Sequence, residues 1–447
     1  MITTTKPLAL ALALGFFAAP AHASETNAAA FLSVEEAIAI ALEAQPGTIG
    51  EAELDQFEGR PAYDIEVVNE AGQEIEFKVD AETGEILNKW IDDDPTDDPV
   101  STAAADPDDV GTELEIVAAS PDFAMNGVTV TKGGRVFVSL PQWTASKSPS
   151  VAEILKDGSI RPYPGNSWNE FDLAEPMDRF MNVNAVHSDG AGSLWVVDYA
   201  GPDFGPSIDG AQKLVRIDLG TNEVARVYRF DDDVLPESAR LNDVRVDAQR
   251  GTAYISEFGV GAIIVVDLES GAAFRALDRH YSTRAHPDVM TTFLGKPFRT
   301  DFLQVNDIEL SADGETLYFQ PTGGPILWKI ETRHLAEPAE NAALEQHIKV
   351  AGKSMTIGGM TRNDDGLLYL GSVQDNAVWT MDPDTGDKKR LVQDDRLLWP
   401  DAMSVGADGY LYIPAPQLRL LPKLNDGADL TRGDFAVYRV KLAETDR

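Results

Sequence analysis

The sequence predicts an all-β six-bladed β-propeller with a small N-terminal α+β domain. Three observations predict it. One strand pattern returns six times between residues 113 and 447. Asp-Gly turns follow the first strand in four of those copies, at 189, 313, 365 and 408. A separate acidic segment with a helix-then-strand pattern comes before them.

Composition narrows the chemistry. The 447 residues include 37 basic and 74 acidic side chains, a net charge of −37, and no cysteine. Such acidity argues against nucleic acid, whose phosphates are met by clustered Lys and Arg. It also argues against an anionic membrane surface. The absence of cysteine excludes a disulfide framework, thiolate zinc sites, iron–sulfur clusters and a cysteine nucleophile.

Residues 1–23 read as a signal peptide, with Lys6, an apolar run from Leu8 to Ala19, and Ala21-His22-Ala23 as the cleavage pattern. The run is too short to span a bilayer. The expectation is therefore an exported protein, periplasmic or extracellular, with no membrane span. Residues 31–90 form the small domain. Ser33 and Glu36 make a capping box, and Ala37, Ile38, Ala41 and Leu42 give a helical stripe that ends at Gly47. Strands follow over 63–69, 74–80 and 85–90, with Glu70–Gln73 as a turn. The runs S-V-E-E-A-I-A-I-A-L, Y-D-I-E-V and I-E-F-K-V-D-A-E-T-G-E-I-L carry this pattern. On those runs the segment resembles the PepSY domain. The resemblance implies a small α+β module of exported proteins, read here as an element that docks another envelope or secreted protein. Residues 91–112, rich in Asp with Pro and Thr, read as an acidic disordered linker. Residues 24–110 hold 24 acidic and 3 basic side chains.

The six copies begin at Asn126, Asn184, Asn242, Asn306, Gly358 and Asp401, with spacings of 58, 58, 64, 52 and 43 residues. Each leads through a short turn into an apolar second strand, such as Leu194–Asp198 or Ala253–Glu257. Third and fourth strands complete a unit of about 40–60 residues, the period of a propeller blade. Glu113–Ala118 is expected to pair with Phe435–Leu442 and close the ring. Trp195, Tyr254, Tyr318, Tyr369 and Tyr412 recur on second strands and read as core between blades.

Residues 113–447 resemble the major royal jelly protein/yellow family in its bacterial branch, which is distantly similar to gluconolactonase and regucalcin propellers. The carriers are Gly127-Val128 with Arg135–Val138, the Asn184–Asp198 block, His286-Pro287, Leu317–Phe319 with Gly323-Gly324 and Leu327–Thr332, and Leu421–Gly427 before Phe435–Val440. The resemblance implies a six-bladed propeller and leaves the reaction open.

A propeller lines its tunnel with the first strand of every blade, so the first residues of the copies should meet at one mouth. Asn242, Asn306 and Asp401 are candidate ligands for Ca²⁺ or another divalent cation, which takes oxygen donors. Asn126, Asn184, Asp198 and Asp243 are candidate ligand-binding residues, and His187, Asp307 and Glu257 candidate acid–base residues. The same Asn and Asp residues also suit strand entries, because they bond to their own backbone. Metal-dependent gluconolactonases carry Glu on the first inner strand, where this chain has Asn126. No organic cofactor is indicated: the dinucleotide and phosphate-loop patterns are missing. Three functions stand, one of them an interaction scaffold with the N-terminal domain as its docking end. Another is a binding protein for a small organic ligand at the tunnel mouth, with or without Ca²⁺. The alternative to binding is a metal-dependent lactonase or a tautomerase-like enzyme.

Overall fold

The computed structural model describes residues 31–57, 60–68, 74–92, 113–146, 149–285, 289–300 and 302–443. Residues 1–23, the Glu70–Gln73 turn, nearly all of the 91–112 linker and His286-Pro287 lie outside the described residues.

The N-terminal module is one helix on one sheet. Helix α1, Val34–Ala44, starts on the expected box: Ser33 Oγ accepts the Glu36 N–H at 3.2 Å, and the Glu36 carboxylate accepts the Ser33 N–H at 2.8 Å. It ends at Gln45, whose N–H returns to Ala41 O. Gly47 therefore does not end the helix. It lets the chain pass Val68, whose carbonyl oxygen would lie 2.4 Å from a Cβ at 47. The strands are β1 (Thr48–Phe57), β2 (Arg60–Val68), β3 (Glu74–Asp80) and β4 (Ile86–Asp92), antiparallel in that order. β1 is an addition to the sequence reading. Its register shifts between Ile49 and Ala52, so its apolar residues do not alternate cleanly. Ala37 and Ala41 pack on Tyr63, Ile65, Val67, Phe77 and Val79.

The rest of the chain is all-β and propeller-like. Among the described residues it forms six four-stranded antiparallel sheets. Their first strands are Val128–Val130, Val183–Ser188, Leu241–Asp247, Val305–Leu310, Ile357–Arg362 and Ser404–Val405, and these number sheets 1 to 6. Each first strand touches the next, and the sixth touches the first. Sheet 6 is completed by the other end of the chain: Glu115–Ser120 pairs with Phe435–Lys441, Ala118 opposite Val437. This is the expected closure, displaced by two residues at the start of the strand.

Apolar packing fills every gap between neighbouring sheets. Trp195 and Tyr228 pack with Leu241 and Ile255 between sheets 2 and 3; Tyr369 and Val378 pack with Leu411 and Ile413 between sheets 5 and 6. The five second-strand aromatics are all buried, as core residues. Burial at about 25 cal/mol per Å² of apolar surface makes these cores the main stabilising term.

Every first strand starts at one face of the ring and ends in a turn at the other. At the turn face Gly190, Gly314, Gly366 and Gly409 have φ of 65°, 70°, 95° and 75°, the left-handed values an Asp-Gly turn needs. Sheets 5 and 6 approach unusually closely. A Cβ on Gly359 would lie 2.2 Å from the Asp401 carbonyl carbon. Gly359→Ala should lower unfolding stability by about 3 kcal/mol or more, through overpacking at a backbone that cannot retreat. Urea unfolding of the full chain measures this, and an unchanged midpoint would contradict the close approach.

Candidate functional site in the tunnel

The first residues of the six copies form a belt around the tunnel axis. Asn126 Nδ2 donates to Asn184 O at 3.1 Å and to Asp401 Oδ1 at 3.2 Å. Asn184 Nδ2 donates to Asn242 Oδ1. Asn242 Nδ2 donates to Asn306 O at 2.9 Å, and Asn306 Nδ2 to Gly358 O at 3.4 Å. Five of the six steps between neighbouring sheets are thus joined by an amide. The sixth, from sheet 5 to sheet 6, has glycines instead, and there the backbones themselves meet. Side-chain hydroxyls reinforce two steps: Ser139 Oγ and Ser256 Oγ donate to Asn184 O and Asn306 O, each at 2.7 Å.

A second layer lies three residues further along each first strand. Its members are Thr129, His187, Arg245, Glu309, Thr361 and Ser404. Arg245 is its centre. Its guanidinium donates to Glu309 at 2.9 Å, to Asp243 at 2.8 Å and to Met360 O at 2.8 Å, joining sheets 3, 4 and 5. Burial opposes the charge on Arg245, but Asp243 and Glu309 outweigh it and hold its proton. Thr129 Oγ1 accepts the Ser188 N–H, and Ser404 Oγ accepts the Val130 N–H, both at 3.0 Å. Arg245, Glu309 and Arg362 were not singled out from the sequence. Aligning the six copies and reading down the column three residues after each Asn would have found the first two.

Beyond this layer a cavity of about 800 Å³ opens at the turn face. His187, Asp243, Arg245, Glu309 and Arg362 line it, with the turn residues around its rim. His187 makes no hydrogen bond through its ring among the described residues. Burial, then Arg245 and Arg362, push its pKa well below the ordinary value, so it is a neutral imidazole. Arg362 Nε and Nη1 are bonded to Leu310 O at 2.5 Å and Asn363 O at 2.9 Å.

The other candidates have different positions. Asp198 accepts the N–H groups of Met181, Asn182 and Ala200 at 2.8–2.9 Å and pairs with the buried Lys213 at 2.9 Å. Glu257 accepts the N–H groups of Arg240, Gly259, Val260 and Gly261 and pairs with Arg275 at 3.0 Å. Both carboxylates end their second strands at the strand-start face, as expected, and both are engaged in organising loops there. Asp307 is 2% exposed, beside the belt, and its Oδ2 has no hydrogen-bond partner. Burial, then Asp401 and Asp243, push it well above the usual carboxylate range. Burial does the same to Asp401. Asn126 Oδ1, buried in the belt, likewise has no hydrogen-bond partner.

The proposed metal set fits this geometry poorly. Asn242 Oδ1 already accepts from Asn184, and Asp401 Oδ1 accepts from Asn126 and from the Ala402 N–H at 2.8 Å. Asp401 is held toward its neutral form. Among the described residues no three His, Asp or Glu side chains are grouped to hold a metal ion. The spacing pointed to oxygen donors; the folded belt engages two of them, Asn242 Oδ1 and Asp401 Oδ1, between sheets.

Asp307 generates a pH prediction. Its pKa is higher in the folded than in the unfolded chain, so its contribution to stability is full below about pH 4 and is lost as pH rises through the folded value. Asp307→Asn should therefore stabilise the protein at pH 7–8, by about 1–3 kcal/mol, with the gain vanishing near pH 3–4. Melting curves across this range check it; a loss of stability at pH 8 would contradict the assignment.

The sequence profile of the PepSY domain (peptidase propeptide and YPEB domain) matches residues 31–90. Over 62 residues, 14% of this chain, the chain is 39% identical to the uncharacterized protein YkoJ of Bacillus subtilis, and spans 36% of that protein's length. Several solved structures are similar at low identity. A luciferin-regenerating enzyme aligns at 11% identity and a TM-score of 0.48, covering 75% of this chain and 96% of the other. The calcium-binding protein regucalcin of Agrobacterium tumefaciens aligns at 14% and 0.46, covering 74% and 93%. A gluconolactonase-type protein aligns at 14% and 0.45, covering 74% and 92%. The major royal jelly protein profile matches residues 181–445, more than half of the sequence, and the chain belongs to the major royal jelly protein family.

Proposed function

We propose that this chain is an exported six-bladed propeller protein that binds a small organic ligand in its central tunnel. The domain division is the one read from the sequence: signal peptide 1–23, PepSY-like module 31–90, linker 91–112 and propeller 113–447. The observation that carries the reading is the cavity at the turn face. Its floor combines a neutral imidazole, His187, with the Arg362 guanidinium, and Asp243 with Glu309 held by Arg245. A few polar groups converging in a concave space are what a ligand site requires. Of the residues assigned to ligand contact from sequence, Asp243 lines this cavity; Asn126, Asn184 and Asp198 do not.

The enzyme reading, a lactone hydrolase or tautomerase-like activity, has one observation in its favour. Asp307 is a buried carboxyl held toward its acid form, the property of a general acid. It does not line the cavity, however, and Glu257 is engaged by loop N–H groups. Binding without turnover is therefore placed first. The divalent cation read from the sequence would sit on Asn242, Asn306 and Asp401, none of which lines this cavity, and no step is routed through it.

The test is a thermal-shift screen of the full chain against small organic acids, aromatic amines and sugar lactones. A compound at a hundred times its dissociation constant should stabilise by about 2.7 kcal/mol. His187→Ala and Arg362→Ala should each remove the shift while leaving the unliganded melt within about 1 kcal/mol. A shift that survives both substitutions would place the ligand elsewhere. Consumption of a lactone, lost in Asp307→Asn, would favour the enzyme.

A further inference from the structure

The N-terminal module does not stand apart from the sheets. Phe31 meets Tyr281, with ring centroids 5.1 Å apart, and Tyr281 meets Trp328 of sheet 4 at 5.5 Å. The module's core and the core between sheets 3 and 4 form one continuous apolar cluster. Strand β1 runs beside the outermost strand of sheet 4, Lys349–Lys353, where Glu53 pairs with Lys353. Asp55 lies within electrostatic reach of Lys388, on the outermost strand of sheet 5.

Charge explains the location. Residues 31–92 carry 16 acidic and 3 basic side chains. The outermost strands of sheets 4 and 5, Lys349–Lys353 and Lys388–Gln393, hold five basic residues and no acidic one. In a chain of net charge −37 this rim is where an acidic module meets attraction instead of repulsion. One contact opposes it: Glu82 is pushed up by burial and by Glu345 across the interface.

Tyr281 has a second connection. It sits at the root of the insertion between the outermost strand of sheet 3 and the first strand of sheet 4. Thr283 Oγ1 donates back to Leu277 O at 2.7 Å, and Asn341 Nδ2 donates to Asp278 O at 2.8 Å, fixing that corner. Further along, the hairpin Met290–Phe293 with Lys296–Arg299 reaches across the strand-start face. Its Phe293 and Phe298 lie 6.1 and 6.0 Å from Trp399. Trp399 in turn covers Asp401 of the belt, with its indole nitrogen beside Gly358.

We propose that the N-terminal module is a clasp: seated on the basic rim of sheets 4 and 5 by Phe31 and Glu53, it holds the root of the insertion that covers the strand-start end of the tunnel. This goes beyond the ligand reading, since it concerns the opposite end of the tunnel from the cavity. The module closes nothing itself. It restrains the corner from which the covering hairpin departs.

The test uses the full chain. In Phe31→Ala/Lys353→Glu the module should detach, seen as a larger radius of gyration in solution scattering. Amide hydrogen exchange in Met290–Arg299 should then accelerate about tenfold, while sheets 1 and 2 keep their protection. Glu53→Lys/Lys353→Glu, with Phe31 intact, restores an opposite-charge pair and should restore both readouts. An unchanged radius would show that these residues do not seat the module. A larger radius with unchanged hairpin exchange would show that the seated module holds nothing. Either result overturns the proposal.

Discussion

Closure of the ring is the constraint on which the rest of this structure depends. Six sheets can share one axis only if six first strands come together with most of their buried polar groups satisfied. The chain solves this with short amides placed where each first strand begins, each reaching to the next sheet. Where the amide is missing, at Gly358, the solution is close approach to the Pro400 backbone carbonyl and the Trp399 indole. Arg245 repeats the arrangement one layer deeper with charge-assisted bonds to three sheets. A buried charge is costly to desolvate, and this one is retained with two carboxylates around it. Such a network specifies how the sheets are arranged more than it adds net stability.

Much of the fold was legible in the sequence because it repeats. The recurrence of Asn before an apolar strand, and the Asp-Gly turns, are local features with fixed physical causes. The pairing of Glu115–Ser120 with Phe435–Lys441 was legible too, since a closed ring needs a partner for its last open edge. Strand β1 was not, because the shift at Ile49–Ala52 breaks the alternation that marks a strand. The helix end was misplaced for a related reason. Gly47 signals a stop, but its role is to let backbone pass Val68.

The tunnel chemistry was less legible. Asn242, Asn306 and Asp401 are oxygen donors at matching positions, and position alone does not say whether an oxygen is spare. Only the folded contacts show that Asn242 Oδ1 is taken by Asn184. In the same way Asp198 and Glu257 stand at the expected strand ends but serve loop N–H groups. The residues that line the cavity sit one layer away, and their pattern is visible only when copies are compared column by column. Charge follows the same logic at larger scale. The five basic side chains of two outer strands are unremarkable in number, and acquire meaning only beside a strongly acidic module.

The claim at the centre of this account is that the asparagine belt joins sheet to sheet and is not a metal site. Melting Asn242→Ala and the unsubstituted chain, each with calcium and with chelator, tests it directly. The account predicts a loss of about 2–4 kcal/mol on substitution, from two broken inter-sheet bonds with unsatisfied partners left behind, and the same loss with calcium as with chelator. If calcium instead stabilises the unsubstituted chain, and Asn242→Ala removes that stabilisation while leaving the chelator melt unchanged, the belt is a metal centre and the account is wrong.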